Sequence, residues 1–67
     1  MRNYQIGIVS EDGFRVSDSY ASGENSLDAL EQGLDDGSVL VPSGFAGYAI
    51  VQNMNTGLAV RLQLAKE

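Results

Sequence analysis

The chain opens with two segments in which apolar and polar residues alternate, and this alternation predicts β-strands. The segments are residues 4–9 and 14–20, and the acidic loop 11–13 between them ends in glycine, which predicts a hairpin. Two registers fit this loop. A three-residue loop with its glycine in the left-handed conformation places Ile8 opposite Val16, and we expect this register because it collects the large apolar side chains on one face.

The choice of register determines which side chains of the second strand face the core. The expected register also places Tyr4 opposite Tyr20, and it leaves Asp18 on the apolar face of the sheet. A two-residue turn would instead place Ile8 opposite Ser17. The unfavourable position of Asp18 is the one feature that the expected register does not explain.

A second hairpin is predicted in the last third of the chain. Residues 45–52 and 58–64 alternate in the same way, and the loop 55–57 again has three residues and ends in glycine. With this loop, Ile50 lies opposite Leu62.

Between the hairpins, residues 24–37 have the spacing of an amphipathic helix, with Asn25 or, as the other candidate, Ser22 as the predicted N-cap and Gly37 as the predicted stop. One stripe of this helix, at i, i+3 and i+7, is the predicted core stripe and consists of Leu27, Leu30 and Leu34. A neighbouring strip of small residues, which permits close approach of another backbone, consists of Ser26, Ala29 and Gly33.

These elements predict a single domain, residues 1–67, of the α+β class and of order ββαββ. One antiparallel sheet packs one of its faces on the leucine stripe of the helix. Residues 38–41 are apolar and precede Pro42, so they predict a further short strand at an edge or an extended segment.

The second face of the sheet is predicted to mix small, polar and apolar residues. Antiparallel sheets commonly leave one face in water. Three large apolar residues are predicted on this face: Val9, Phe45 and Val51. They favour an alternative interpretation, in which this open face is the interface of a homodimer.

Carboxylates line a further side of the predicted helix within about 60° of arc. This acid row consists of Glu24, Asp28, Glu31 and Asp35. Asp36 follows it, Glu11 and Asp12 add charge in the first hairpin loop, and no Lys or Arg occurs between residues 24 and 36. The simple interpretation is a solvated face that keeps the protein in solution, and the alternative is a docking surface for a basic partner.

Composition narrows the possible functions. The formal net charge is −5, from nine acidic and four basic residues, so we expect no direct binding to nucleic acid or to an anionic membrane. No apolar stretch approaches the ~20 residues that span a bilayer. The N-terminal residues lead into a strand pattern and not into a signal peptide, so we expect a cytoplasmic protein.

Histidine and cysteine are both absent, which removes the usual nucleophilic triads, imidazole acid–base chemistry and structural zinc. The acidic turns at 11–13 and 35–37 lack the ligand spacing of an EF-hand. We therefore expect no catalytic residue, no bound cofactor and no metal ion, and we interpret the chain as a non-enzyme.

Residues 4–37 resemble the opening of HicB-type antitoxins. The shared features are an alternating strand, the acidic-glycine turn, a second strand and a helix entry of the form Gly-x-x-Ser-x-x-Ala-Leu, here residues 23–30. The resemblance covers about half of the chain, without a third strand before the helix and without a C-terminal DNA-binding module. It implies a domain that binds and blocks a toxin.

The leading hypothesis is a small acidic interaction protein that inhibits or sequesters a larger basic protein, such as one that binds nucleic acid. Phage- or mobile-element-encoded inhibitors, including anti-CRISPR proteins, and antitoxins are the analogous classes. The alternative is an assembly module that forms homo-oligomers through its open sheet face or an edge strand.

Overall fold

The computed structural model describes residues 2–42 and 44–64, and its elements follow the predicted order ββαββ. The elements are β1 (Arg2–Ser10), β2 (Arg15–Gly23), α1 (Ser26–Asp36), β3 (Gly47–Asn53) and β4 (Ala59–Leu64). The four strands form one antiparallel sheet in the order β2-β1-β3-β4. The predicted α+β class is confirmed.

The β1–β2 hairpin combines features of both predicted registers. Its loop has the expected three residues, because the N–H of Ser10 donates to the carbonyl of Phe14 at 2.9 Å and the loop glycine has a φ of 92°. Val16 then has no partner in β1, so Ile8 pairs with Ser17. The predicted pairing of Ile8 with Val16 is therefore wrong, because this β-bulge moves every later residue of β2 to the opposite face.

The bulge leaves only small side chains of β2 beneath the helix. Tyr20, predicted opposite Tyr4 in the core, lies on the open face and is exposed, and Asp18 moves to the open face opposite Gly7. The residues that take the helix side instead are Ser17, Ser19 and Ala21. The register thus removes the carboxylate from the core and allows the helix to come close.

Small residues of α1 meet small residues of β2. A Cβ atom on Gly33 would lie 2.5 Å from Cγ2 of Val39 and 3.3 Å from Cβ of Ala21. A Cβ atom on Gly23 would lie 2.5 Å from the backbone nitrogen of Ala29. No side chain fits at such distances, so the predicted strip of small residues is the side of the helix that packs on the sheet.

The predicted leucine stripe is wrong for two of its three members. Leu30 is buried, but Leu27 and Leu34 are 53% and 40% exposed. Both lie roughly 120° around the helix from the centre of the small strip. Because the close contact with β2 directs the small strip toward the sheet, these two leucines lie at the flank of the helix.

The β3–β4 hairpin has a longer loop than predicted. The N–H of Asn53 donates to the carbonyl of Leu58 at 2.8 Å, so four residues form the loop. The side chain of Asn53 also accepts a hydrogen bond from the N–H of Asn55 at 2.8 Å, a turn interaction that favours this loop. Ala49, and not Ile50, therefore pairs with Leu62.

This shift of one residue reverses the predicted faces of β3. Val51 belongs to the buried core, whereas Tyr48 lies on the open face. Phe45 precedes the strand and packs against the core. The predicted patch of Val9, Phe45 and Val51 therefore does not exist as an exposed surface, and Val9, its one member on the open face, is itself buried.

The core lies between the sheet and the layer formed by the helix and the segment after it. Its buried members are Tyr4, Ile6, Ile8, Ala29, Leu30, Val39, Ala49 and Val51. Residues 38–41 form no strand, because the N–H of Val39 donates to the carbonyl of Gly33 at 2.9 Å and turns the backbone onto the helix end. Val39 thereby completes the core.

Candidate partner-binding surface

Three members of the acid row, Asp28, Glu31 and Asp35, lie on the side of α1 that is turned away from the sheet, and Glu24 precedes the N-cap. Glu24, Glu31 and Asp35 are exposed, and Asp28 is half-buried. The centre of the row is roughly 180° around the helix from Gly33, which contacts Val39 and the sheet. The packing of the small strip therefore directs the carboxylates into solvent.

None of the described arginines forms a salt bridge with these carboxylates. Arg15 forms an ion pair with Asp18 on the open face of the sheet. Arg61 lies over an aromatic ring on the same face, 4.7 Å from its centroid. Arg2 reaches the start of the helix, but its Nη1 donates to the backbone carbonyl of Glu24 at 2.8 Å. Within residues 2–42 and 44–64, the acid row has no salt-bridge partner.

Asp28 differs from the rest of the row because it caps the helix. Its N–H donates to Oδ1 of Asn25 at 2.8 Å, and its own Oδ2 accepts a hydrogen bond from the N–H of Glu24 at 2.9 Å. The predicted N-cap at Asn25 is thus confirmed. The reciprocal bonds satisfy two N–H groups at the helix start, where the macrodipole also favours a negative charge.

This capping role predicts different effects for two neighbouring carboxylates. Asp28→Ala is expected to lower the free energy of unfolding by about 1 kcal/mol, because it removes the hydrogen bond to the Glu24 N–H and a negative charge at the helix N-terminus. Glu31→Ala, the matched control one turn along the helix, is expected to change it by less than about 0.5 kcal/mol. Urea denaturation followed by circular dichroism measures both, and equal effects would contradict the assignment of Asp28 as a cap.

Asp36 is the last residue of the helix, and its carboxylate accepts local hydrogen bonds. The Ser38 hydroxyl and, second, the Ser38 N–H at 2.8 Å donate to its carboxylate, and these bonds hold the pKa of Asp36 below its usual range. Because the folded pKa is the lower one, this contribution to stability is present at neutral pH. It is lost as the pH falls through the lowered pKa.

Glu11 and Asp12 lie apart from the acid row. The helix runs back along β2, with Gly33 beside Ala21. From Ala21, the hairpin loop is eight residues further back along the chain, six of them in β2, whereas the helix continues beyond Gly33 for only three residues to Asp36. At about 3.3 Å per strand residue and 1.5 Å per helix residue, roughly 20 Å separates the two groups of carboxylates. The structure therefore divides the predicted acidic surface in two.

The exposed surface of α1 also has an apolar part that the sequence interpretation missed. Leu27 and Leu34 lie beside the acid row, at positions i and i+7 on the same flank of the helix. Leucines at this spacing usually pack in a core, and the spacing therefore predicts core positions for both. The parallel strip of Ser26, Ala29 and Gly33 indicates that these two leucines do not pack in the core. A helix presents only one side to a strand at close distance, and small residues permit the closest approach.

Within the described parts of the chain, no three His, Cys, Asp or Glu side chains are arranged to hold a metal ion. The helix of residues 26–36 is too short and too polar to cross a membrane, and the described residues contain no helix that could. Comparison of the chain with family models, curated proteins and solved structures finds no match. The resemblance to HicB-type antitoxins therefore remains one of sequence pattern alone.

Proposed function

We propose that this chain is a non-enzymatic interaction protein that binds a larger protein with a basic surface through the exposed side of α1, and thereby inhibits or sequesters it. The observation that supports this most directly is the row of three exposed carboxylates, Glu24, Glu31 and Asp35, which lack a salt-bridge partner among the described residues. Complementary charge of this kind accelerates association and selects the partner.

The leucines beside the acid row give the exposed side of α1 an apolar area that solubility alone does not explain. An acid row alone is explained by solubility, but Leu27 and Leu34 expose apolar area next to it. Burying a leucine side chain fully contributes about 1.5–3 kcal/mol, so two partly exposed leucines offer substantial binding energy. Helices that dock into a groove use apolar anchors at this spacing, with charges beside them. The partner surface that fits is an apolar groove bordered by Lys and Arg.

A basic groove is typical of proteins that bind nucleic acid, since they need Lys and Arg for phosphate contacts. A small acidic domain that covers such a groove competes with the nucleic acid. This is the mode of action that we propose, by analogy with anti-CRISPR proteins and antitoxins. It requires no catalytic residue, no cofactor and no metal, and it takes place in the cytoplasm, where such partners act.

Salt dependence and two double variants test the proposal on a partner captured from a lysate of the native host. Glu31→Gln/Asp35→Asn is expected to weaken binding roughly 2- to 30-fold, because two exposed ion pairs contribute about 0.2–1 kcal/mol each. Raising the salt from about 50 to about 500 mM is expected to weaken the wild type by shortening the Debye length. Titration calorimetry measures both changes.

The matched control is Glu11→Gln/Asp12→Asn, which removes the same charge at the other end of the molecule. It is expected to leave affinity nearly unchanged. Leu27→Ala is expected to weaken binding without altering the salt dependence. The proposal fails if affinity is insensitive to salt, or if the loop variant weakens binding as much as the helix variant does.

The second candidate is an assembly module. Val51 and Phe45, two of the three residues that favoured its open-face version, belong to the core side of the sheet, so that version has lost its main support. An edge strand remains available for assembly.

A further inference from the structure

β4 is an edge strand, and its described residues, Ala59–Leu64, lack the usual protection against pairing. It lies at one end of the sheet, and none of its residues is fully buried. Its sequence contains no Pro and no Lys, and its one charged residue, Arg61, lies over the ring of Tyr48. By contrast, the other edge strand, β2, carries the bulge at Val16 and the ion pair of Arg15 with Asp18. Natural edges use such features to prevent association, so β4 is the open edge.

The helix leaves the apolar side of β4 uncovered. α1 packs mainly on β2, which is three strand spacings, or about 14 Å, from β4, and a helix with its side chains is only about 10–12 Å wide. Val60 and the preceding Leu58 are accordingly exposed. Leu62 and Leu64, on the same side of β4, are only half-buried. The apolar side of the sheet thus extends to its edge at β4, where the apolar side chains are only partly covered.

The backbone of β4 shows which groups are free to pair. The N–H of Asn53 donates to the carbonyl of Leu58, so residue 58 turns its polar groups toward β3. Because antiparallel strands alternate, the backbone groups of residues 60, 62 and 64 also point to β3, and those of Ala59, Arg61 and Gln63 point away from the sheet. A partner strand must therefore bond to these outward groups.

We propose that this edge pairs antiparallel with β4 of a second copy about a two-fold axis at Leu62, giving one continuous eight-stranded sheet. In this register Leu62 faces its own counterpart, Val60 faces Leu64 of the other copy, and Arg61 faces Gln63. The outward groups of Arg61 and Gln63 then bond to each other, the apolar side chains meet on the helix side, and no two charges lie directly opposite.

The charge distribution permits a second copy despite the net charge of −5. No acidic residue occurs between Asp36 and Glu67, so the described part of the second hairpin carries only the charge of Arg61. In the paired sheet, seven strand spacings of about 4.8 Å separate the two β2 strands, near which the helices lie. That distance of roughly 33 Å exceeds the Debye length of about 8 Å at physiological salt, so repulsion between the acid rows is screened.

Single cysteines test the register, because the native chain has none. Leu62→Cys is expected to form an intermolecular disulfide rapidly on mild oxidation, since a non-hydrogen-bonded antiparallel pair holds the two Cβ atoms at about 4.5–5.5 Å. Val60→Cys is the control: it is more exposed, but its counterpart is four residues, or about 13 Å, away along the strand. Cross-linking that is equally fast in both variants, or slow in Leu62→Cys, would overturn the proposed register.

Two lysine variants test the pairing itself by sedimentation velocity. Val60→Lys places a charge in the proposed interface and is expected to raise the dimer dissociation constant by roughly tenfold or more. Val16→Lys is the matched control at the opposite edge, since Val16 and Val60 are 47% and 43% exposed. Its dimerisation is expected to equal that of the wild type. A monomeric wild type at high concentration, or equal effects of the two variants, would overturn the pairing of β4 while leaving the binding proposed for α1 intact.

Discussion

Val51→Lys is expected to abolish cooperative folding. Val51 is 0% exposed, and it pairs with Ile6 on one side and with Val60 on the other. Enclosing an ammonium group there costs several kcal/mol, since the described residues place no charged side chain in the core that could pair with it. A chain of this length is stable by only about 3–10 kcal/mol at the usual 0.05–0.15 kcal/mol per residue. Far-UV circular dichroism and urea titration measure the result.

The same substitution at the facing residue is the control. Val60 lies opposite Val51 on β4, but it is 43% exposed, so a lysine there extends into solvent. Val60→Lys is expected to change the free energy of unfolding of the monomer by less than about 1 kcal/mol. A folded Val51→Lys with the unfolding midpoint of the wild type would show that the assigned register of β3 is wrong.

Gly23→Ala is expected to cause the second largest loss of stability. The added Cβ would lie 2.5 Å from the nitrogen and 2.7 Å from the Cα of Ala29, and 2.9 Å from Oδ2 of Asp28. The first two are backbone atoms of the helix, so the clash is relieved only if α1 moves away from β2. We expect a loss of about 3 kcal/mol, at the upper end for overpacking, measured by urea denaturation.

Gly7→Ala is the matched control, a glycine-to-alanine change in the neighbouring strand. Its Cβ would lie 2.6 Å from Nη1 of Arg15, which is the end of a flexible and half-exposed side chain. Arg15 can rotate away, and alanine is the better strand residue, so we expect a change within about 1 kcal/mol. If both variants lost the same stability, the close approach of α1 to β2 would not be the cause.

Several features of this protein follow from the sequence alone. The alternating segments, the glycines at the loop ends and the amphipathic stretch between them determine the ββαββ order. The helix ends follow from Asn25 and Gly37, because their chemistry is local. The spacing of Asp28, Glu31 and Asp35 places these three carboxylates on one side of the helix, whichever of the other sides packs on the sheet. The candidate surface was therefore predictable in its charged part.

Only the tertiary structure decided which faces meet. Residues 48–51 are apolar throughout, so alternation cannot select between the two faces of β3. The four-residue loop closed by Asn53 determines which face of β3 turns toward the core. The bulge at Val16 determines the same for β2. The small residues of β2 then favour Gly33 and its neighbours over Leu27 as the contact side of the helix. Which faces pack together depends in each case on how closely two backbones approach. This distance is a property of the packed pair of segments and not of either segment alone.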